Sequence, residues 1–168
     1  MLETERLYMR EMTHEDFGAL SVMFRDADVM YAYAHTFDDY EINDWMDRQI
    51  TRYKNDGFGL WAVILKENEE LIGQCGLTVQ NCNGRSVVEV GYLFCKKYWH
   101  NGYATEAAVA CKKYAFEVLG VDEVYSIIRD GNIASQQVAK RNGMTPKEKL
   151  TKYYYGIYMP HTAFSVSK

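Results

Sequence analysis

From Leu7 to Met12 apolar and polar residues alternate, Leu7 and Met9 against Tyr8 and Arg10, which predicts a first strand. Thr13 with Asp16 makes a capping box in which Asp replaces Glu. Phe17, Leu20 and Phe24 follow at helical spacing, so a first helix is expected, ending before about Tyr33. Asp38 and Glu41 repeat the capping signal ahead of the stripe Ile42, Trp45, Met46, Gln49, Ile50 and Tyr53, in which only Gln49 is polar; this second helix stops at Asp56-Gly57. Leu60–Leu65, Leu71–Val79 and Ser86–Phe94 are rich in β-branched and aromatic residues and read as an antiparallel meander. Its last turn is Asn83-Gly84, two residues that tolerate the positive φ of a type I′ hairpin. A helix over about Gly102–Leu119 turns Ala107, Cys111, Tyr114, Ala115 and Val118 to one side and stops at Gly120. A fifth strand, Glu123–Arg129, precedes a short helix opened by Asn132 and closed by Asn142-Gly143. Tyr153–Val166 supplies one or two late strands.

The order β-α-α-β-β-β-α-β-α-β predicts an α+β mixed sheet flanked by helices. The length of 168 residues fits one domain spanning the chain, and no repeat or linker interrupts it. A net charge of −4 argues against binding the phosphate backbone of nucleic acid, which needs a basic surface. Any anion site is therefore local. The start, MLETERLYMR, carries acids rather than the apolar run of a leader, and no stretch reaches the ~20 apolar residues of a membrane span, so a cytoplasmic protein without membrane association is expected. Cys75, Cys82, Cys95 and Cys111 match neither a disulfide framework nor a C-x-x-C site and read as reduced core thiols. His14, His35, His100 and His161 lack metal-ligand spacing, so no metal is expected.

Chemistry concentrates where the fourth predicted strand passes into a helix, Lys96–Glu106 (KKYWHNGYATE). The first N–H groups of a helix lack internal partners and sit at the positive end of its dipole, so they hold anions. Gly102 permits close approach, Ala104 keeps the next position small, and the Thr105 hydroxyl adds a donor. A glycine ahead of a helix is also an ordinary tight turn. Gly57-Phe58-Gly59-Leu60-Trp61-Ala62 fits G-x-G-x-x-A but precedes a strand, the reverse of the dinucleotide context, and is rejected as a nucleotide site.

Three blocks, taken together, resemble the GNAT acyl-CoA N-acetyltransferases and, within them, the RimJ/RimL-like branch that acetylates N-termini of ribosomal proteins. They are Glu3–Leu7 with Arg10; Glu89–Tyr92 through Trp99 to Glu106 and Ala107; and Asn132–Ser135 ending in Lys140–Met144. The family's phosphate motif begins with Gln or Arg, whereas the corresponding run here is Trp99-His100-Asn101-Gly102-Tyr103-Ala104. That departure removes a possible side-chain contact and leaves the main-chain cradle. The resemblance implies a GNAT fold, with a mostly antiparallel sheet splayed between the fourth and fifth predicted strands and about four flanking helices. It also implies acetyl-CoA as cosubstrate, its pantetheine arm along the main chain of Tyr92, Leu93 and Phe94 and its pyrophosphate on His100, Asn101, Gly102, Tyr103, Ala104 and Thr105. Asn132 would bond the pantetheine from across the gap, and Lys96, Lys97 and Lys140 would face the ribose phosphate unless they are ordinary solvated lysines.

Glu89 is the candidate base, since it would lie beside the thioester, with a structural ion pair as its alternative. Ser135 is the candidate donor to the departing thiolate, with helix capping as its alternative. The tyrosine many relatives use falls here on Ala139. The acceptor expected from the branch is a protein N-terminal amine, and a small amine such as an antibiotic, polyamine or amino acid is the alternative. The protein is expected to be a monomer or a homodimer, and a non-catalytic acyl-CoA-binding module is the rival from another class. Tyr153, Tyr154, Tyr155 and Tyr158 could close the acceptor pocket. The acidic stretch Tyr31–Trp45 reads first as helix capping and second as a wall attracting a cationic amine.

Overall fold

The computed structural model describes Met1–Lys168. One eight-stranded sheet runs in the order β1-β2-β3-β4-β5-β6-β8-β7. Its strands are β1 (Leu2–Glu3), β2 (Leu7–Arg10), β3 (Leu60–Leu65), β4 (Glu70–Cys82), β5 (Arg85–Phe94), β6 (Glu123–Arg129), β7 (Thr145–Tyr154) and β8 (Ile157–Ser167). The helices are α1 (Phe17–Phe24), α2 (Asp39–Asn55), α3 (Tyr103–Glu117) and α4 (Ile133–Arg141).

Local signals placed most of these elements. Glu41 N–H donates to Asp38 Oδ1 and Asp38 N–H to Glu41 Oε2, both at 2.9 Å, closing the capping box of α2. Asn83 and Gly84 hold φ of 50° and 82° in the β4–β5 turn, as a type I′ hairpin requires. Gln49, the polar residue in the α2 stripe, is fully buried. Its Oε1 accepts from the Leu60 main chain at 3.2 Å and from Arg52 at 3.0 Å, so it clamps the helix to the start of β3 rather than interrupting the packing.

The apolar faces gather into two main clusters. One packs α3 and α4 on the sheet through Ala107, Cys111, Ala115 and Ala139. The other packs α1 and α2 on the opposite side through Leu20, Phe24, Ile42 and Met46. Cys75, Cys82 and Cys111 are buried free thiols and Cys95 is half-buried. Val118 departs from the predicted α3 face: it is 63% exposed, because the helix ends at Glu117.

Two strands differ from the sequence reading. β1 pairs with β2 through only Leu2 and Glu3, too few residues to leave a periodic signature. β7 begins at Thr145, well before Tyr153, and pairs along its length with β8. Its side chains alternate between exposed and half-buried, include Lys147, Lys149 and Lys152, and carry Pro146 at a register shift. Edge strands are blunted in this way by lysine, proline and bulges, which hides the apolar alternation used to find strands.

The feature that positions chemistry is a split between β5 and β6. These are the sheet's one parallel pair and join only at Glu89–Tyr125, whereas β4 and β5 pair without interruption from Gly73–Phe94 to Cys82–Arg85.

Candidate active site

Alternation along β5 fixes which main-chain groups face the split. Cys95 N–H donates to Ile72 on β4 at 2.9 Å, so Leu93 and Gly91 also direct their main chain toward β4. Val90, Tyr92 and Phe94 point the other way. The Val90 carbonyl accepts from Ser126 Oγ at 2.8 Å and the Phe94 carbonyl from the Trp99 indole at 2.9 Å. The N–H and C=O of Tyr92 and the N–H of Phe94 thus form an open strand edge, which an extended amide-bearing chain can pair with. Leu93 borders the cavity below without offering its main chain to the gap.

Beyond this edge lies the turn into α3. His100 and Gly102 hold φ of 64° and 82°. No main-chain N–H from His100 to Thr105 donates to another protein group; the first to do so is Glu106, to Gly102 at 3.0 Å. Consecutive free N–H groups at the positive end of a 15-residue helix make an anion cradle. Arg6 spans it: its guanidinium donates to the Asn101 carbonyl at 3.0 Å, pairs with Glu106 at 2.7 Å and lies 4.5 Å from the Tyr103 ring centre. Burial pushes the Glu106 carboxyl up, but hydrogen bonds from Thr4 and Arg6 outweigh it and hold the group below its ordinary value. The opening block of the sequence and the helix start thereby become one unit. Lys96 pairs with Asp28 and Lys97 with Glu70, and Lys140 is exposed.

A cavity of about 370 Å³ continues from the split into the body of the protein. Tyr92, Asn132 and Ser135 line one end, and Glu89 faces it from β5. Glu89 Oε1 accepts the Ile127 N–H at 2.9 Å. Burial raises its carboxyl, against the opposing influence of Lys152, the Ile127 N–H, Arg52 and Thr78. A carboxylate raised in this way is a better proton acceptor than an exposed one. Asn132 caps α4, its Oδ1 accepting from Ser135 N–H at 3.1 Å and from the Tyr31 hydroxyl at 2.6 Å, which leaves its amide NH2 free. The half-buried Tyr92 donates its hydroxyl to the Ser135 carbonyl at 2.8 Å, tying β5 to α4 across the gap.

Two segments roof the cavity. Tyr33 lies 6.4 Å from Tyr154, and His35 stacks on Tyr155 at 4.1 Å, so the loop before α2 meets the β7–β8 turn. Arg129 donates to the carbonyls of Tyr31 and Ala32 at 3.2 and 3.1 Å. Tyr154 and Tyr155 line the cavity, whereas Tyr153 and Tyr158 pair on the outside. The acids of the Tyr31–Trp45 stretch do not reach it: Asp38 caps α2, Asp39 pairs with Arg25, and Glu41 pairs with His35. In their place the lining carries Arg48, Arg52, Arg129 and Lys152. Sequence reading missed these four, although Arg48 and Arg52 stand at i,i+4 on α2 and so share a face. His, Cys, Asp and Glu side chains nowhere gather in threes to hold a metal ion, and no helix is long and apolar enough to cross a membrane.

A sheet opened beside a free strand edge, leading into a helix-borne anion cradle, is the architecture of an acyl-CoA-dependent transferase. Residues 6–145 match the family described as Acetyltransferase (GNAT) domain, and the chain belongs to that family. YkkB of Bacillus subtilis (strain 168), an uncharacterized protein, is 35% identical over 153 residues, covering 90% of this chain and 89% of its own. An acetyltransferase structure from Agrobacterium tumefaciens str. C58 superposes with TM-score 0.83 at 26% identity, covering 99% of this chain and 94% of that one. Spermidine N-acetyltransferase from Vibrio cholerae, solved with CoA and spermine, superposes with TM-score 0.77 at 15% identity, covering 98% and 96%. The protein is an acetyl-CoA-dependent N-acetyltransferase with the GNAT fold.

Proposed function

We propose that this chain moves the acetyl group from acetyl-CoA directly to the primary amine of a small acceptor, both substrates being bound at once. The observation that carries this reading is the continuity of the cavity: one space joins Tyr92, Asn132 and Ser135 to Glu89 and to the roof of Tyr33 and Tyr154. In this reading the pantetheine arm pairs with the main chain of Tyr92 and Phe94. The pyrophosphate rests on the N–H groups of His100, Asn101, Gly102, Tyr103, Ala104 and Thr105, and the amide of Asn132 donates to the arm from α4.

The amine nitrogen attacks the thioester carbon, a C–N bond forms and the C–S bond breaks. Glu89 takes the proton the nitrogen loses, directly or through water. Ser135 hydrogen-bonds the departing sulfur while solvent returns a proton to it. With the Tyr92 C=O and the Phe94 N–H given to the arm, the Tyr92 N–H, nearer Glu89 along the strand, is the edge donor left to polarise the carbonyl. A roof held by Arg129, the His35–Tyr155 stack and the Tyr33–Tyr154 contact favours a compact amine over a polypeptide chain. Acceptance of a protein N-terminus, the acceptor first expected from the RimJ/RimL-like resemblance, becomes the second reading. An α-amine, with pKa roughly 7.7 to 8.0, is already partly neutral at pH 7, so it asks less of Glu89 than a side-chain amine of roughly 10.4.

Release of CoA thiol is the test, with acetyl-CoA at saturation and the acceptor varied between small amines and short peptides with free N-termini. Faster release with small amines supports the roofed-pocket reading. Preference for peptides selects the second reading, and saturable acetyl-CoA binding without release under any acceptor favours a binding module.

A further inference from the structure

The charge around the cavity goes beyond what acetyl transfer to an arbitrary amine requires. Glu89 is the lining's one carboxylate, against Arg48, Arg52, Arg129 and Lys152. Arg48 is matched outside the cavity by Asp44 at 3.1 Å. Arg52 makes its hydrogen bond to the neutral Gln49 amide, and Arg129 makes its own to two carbonyls. Lys152 Nζ lies over the Tyr154 ring, 5.8 Å from its centre. None of these three sits in an ion pair, while the lysines of the outer surface such as Lys147 and Lys149 are paired with Glu123 and Asp130. All three are half-buried. Even with Glu89 ionised, a surplus of positive charge faces the space where the acceptor would sit.

Half-buried cations without counterions are costly in a low-dielectric cavity, and an anionic ligand would supply the missing charge. Arg52 and Lys152 both act on Glu89, so both lie near the group placed beside the amine. Arg presents a planar fork that grips carboxylate or phosphate, and Lys a point charge. A polyamine, cationic at every nitrogen, would meet repulsion here. His161 adds none of its own, since burial lowers its pKa and its Nδ1 lies 2.8 Å from the Met159 carbonyl.

We propose that the acceptor is a small amine carrying an anionic group, a carboxylate or a phosphate, held by Arg52 and Lys152 so that its amine faces Glu89. This inference rests on the reading of the roofed cavity as the acceptor site and names the acceptor's chemical class. It is tested with paired amines of one carbon skeleton that differ in charge, each rate being referred to the neutral fraction of its amine. α-Amino acids are compared with their carboxamides and phosphoethanolamine with ethanolamine, with spermidine as the cationic extreme. The kcat/KM for CoA release is expected to be at least about tenfold higher for the anionic member of a pair, the value of one modest charge interaction. The amino acid and phosphoethanolamine arms separate carboxylate from phosphate.

Arg52→Gln and Lys152→Gln should each shrink that ratio while the KM for acetyl-CoA stays unchanged. Arg52→Lys, which keeps the charge, should retain part of it, and thermal melts confirm that each variant is folded. Equal rates within pairs, or preference for the amide or spermidine, overturn the inference and leave the transferase intact. Calorimetric binding of the same amines to the protein with CoA decides the matter separately from turnover. Charge-dependent binding that Arg52→Gln abolishes supports the inference even if every amine proves inert, a result that would count against the transfer reading alone. Binding that ignores charge, or no binding of any amine, overturns it.

Discussion

Glu89 reaches across the split in the sheet, its Oε1 accepting the Ile127 N–H at 2.9 Å. In a continued parallel ladder that N–H would bond the Val90 carbonyl, which Ser126 Oγ occupies instead. One carboxylate oxygen therefore holds β6 in place while the side chain faces the cavity. Glu89→Gln keeps an oxygen for Ile127 and removes the proposed base. Turnover at neutral pH should fall about 100-fold, the lower end of what a positioned base contributes, with acetyl-CoA affinity unchanged. In a pH series the wild type should gain rate as Glu89 loses its proton, at a pH above the ordinary carboxylate range. The variant should retain only the rise set by the amine itself. An unaltered rate in Glu89→Gln would leave Glu89 a purely structural role.

The same substitution should stabilise the fold. Burial raises the Glu89 carboxyl, so the native protein holds that proton more tightly than the unfolded chain does. The ionised form then costs stability. The cost is absent below the unfolded pKa, grows as pH rises, and is complete above the folded pKa. Melting temperatures of Glu89→Gln are expected to exceed those of the wild type at neutral pH and to converge with them at about pH 4. A gap that persists in acid would point to packing rather than charge.

Gly102 tests the anion cradle. An added Cβ would meet nothing closer than the Arg6 guanidinium at 3.6 Å, so space is not the constraint; the φ of +82° is. Gly102→Ala should therefore cost about 1–2 kcal/mol, the penalty of a left-handed L-residue, and weaken acetyl-CoA binding as the turn relaxes. Gly84→Ala, at the same φ in the β4–β5 turn and with nothing within 4 Å, should lose similar stability with acetyl-CoA affinity intact. Denaturant melts and calorimetric titration of both variants separate the two effects.

What could be read from the chain alone divides along a physical line. Elements announced by short-range chemistry were legible: the Asp38–Glu41 box, the Asn83-Gly84 turn, the Asn132 cap and the Gly102 helix start all rest on residues close in sequence. β7 was not legible before Tyr153, since an edge strand spends its alternating positions on lysine and solvent. The strand end and helix start proposed to hold the cofactor are local features and were legible for the same reason. The cations proposed to face the acceptor were not. Arg52, Arg129 and Lys152 come from α2, β6 and β7, more than twenty residues apart in the chain, and only the fold places them around one space. The acids at Asp38, Asp39 and Glu41 suggested the opposite charge, yet capping and surface pairing consume them.

Asn132 separates a structural from a binding role within one side chain. Its Oδ1 already serves the protein, accepting from Ser135 N–H and from the Tyr31 hydroxyl, while its NH2 has no partner. Asn132→Asp keeps both acceptor bonds and places a negative charge at the start of α4, where it is stabilising by roughly 0.5 kcal/mol. It removes the NH2 donor. If that donor reaches the pantetheine arm, the KM for acetyl-CoA should rise about tenfold, the worth of one hydrogen bond, with stability equal to or above the wild type. Asn132→Ala loses the cap as well and should fall by about 1 kcal/mol in denaturant melts. Wild-type acetyl-CoA kinetics in Asn132→Asp, alongside a destabilised Asn132→Ala, would reduce Asn132 to the cap of α4 and leave the strand edge of Tyr92 and Phe94 to hold the arm alone.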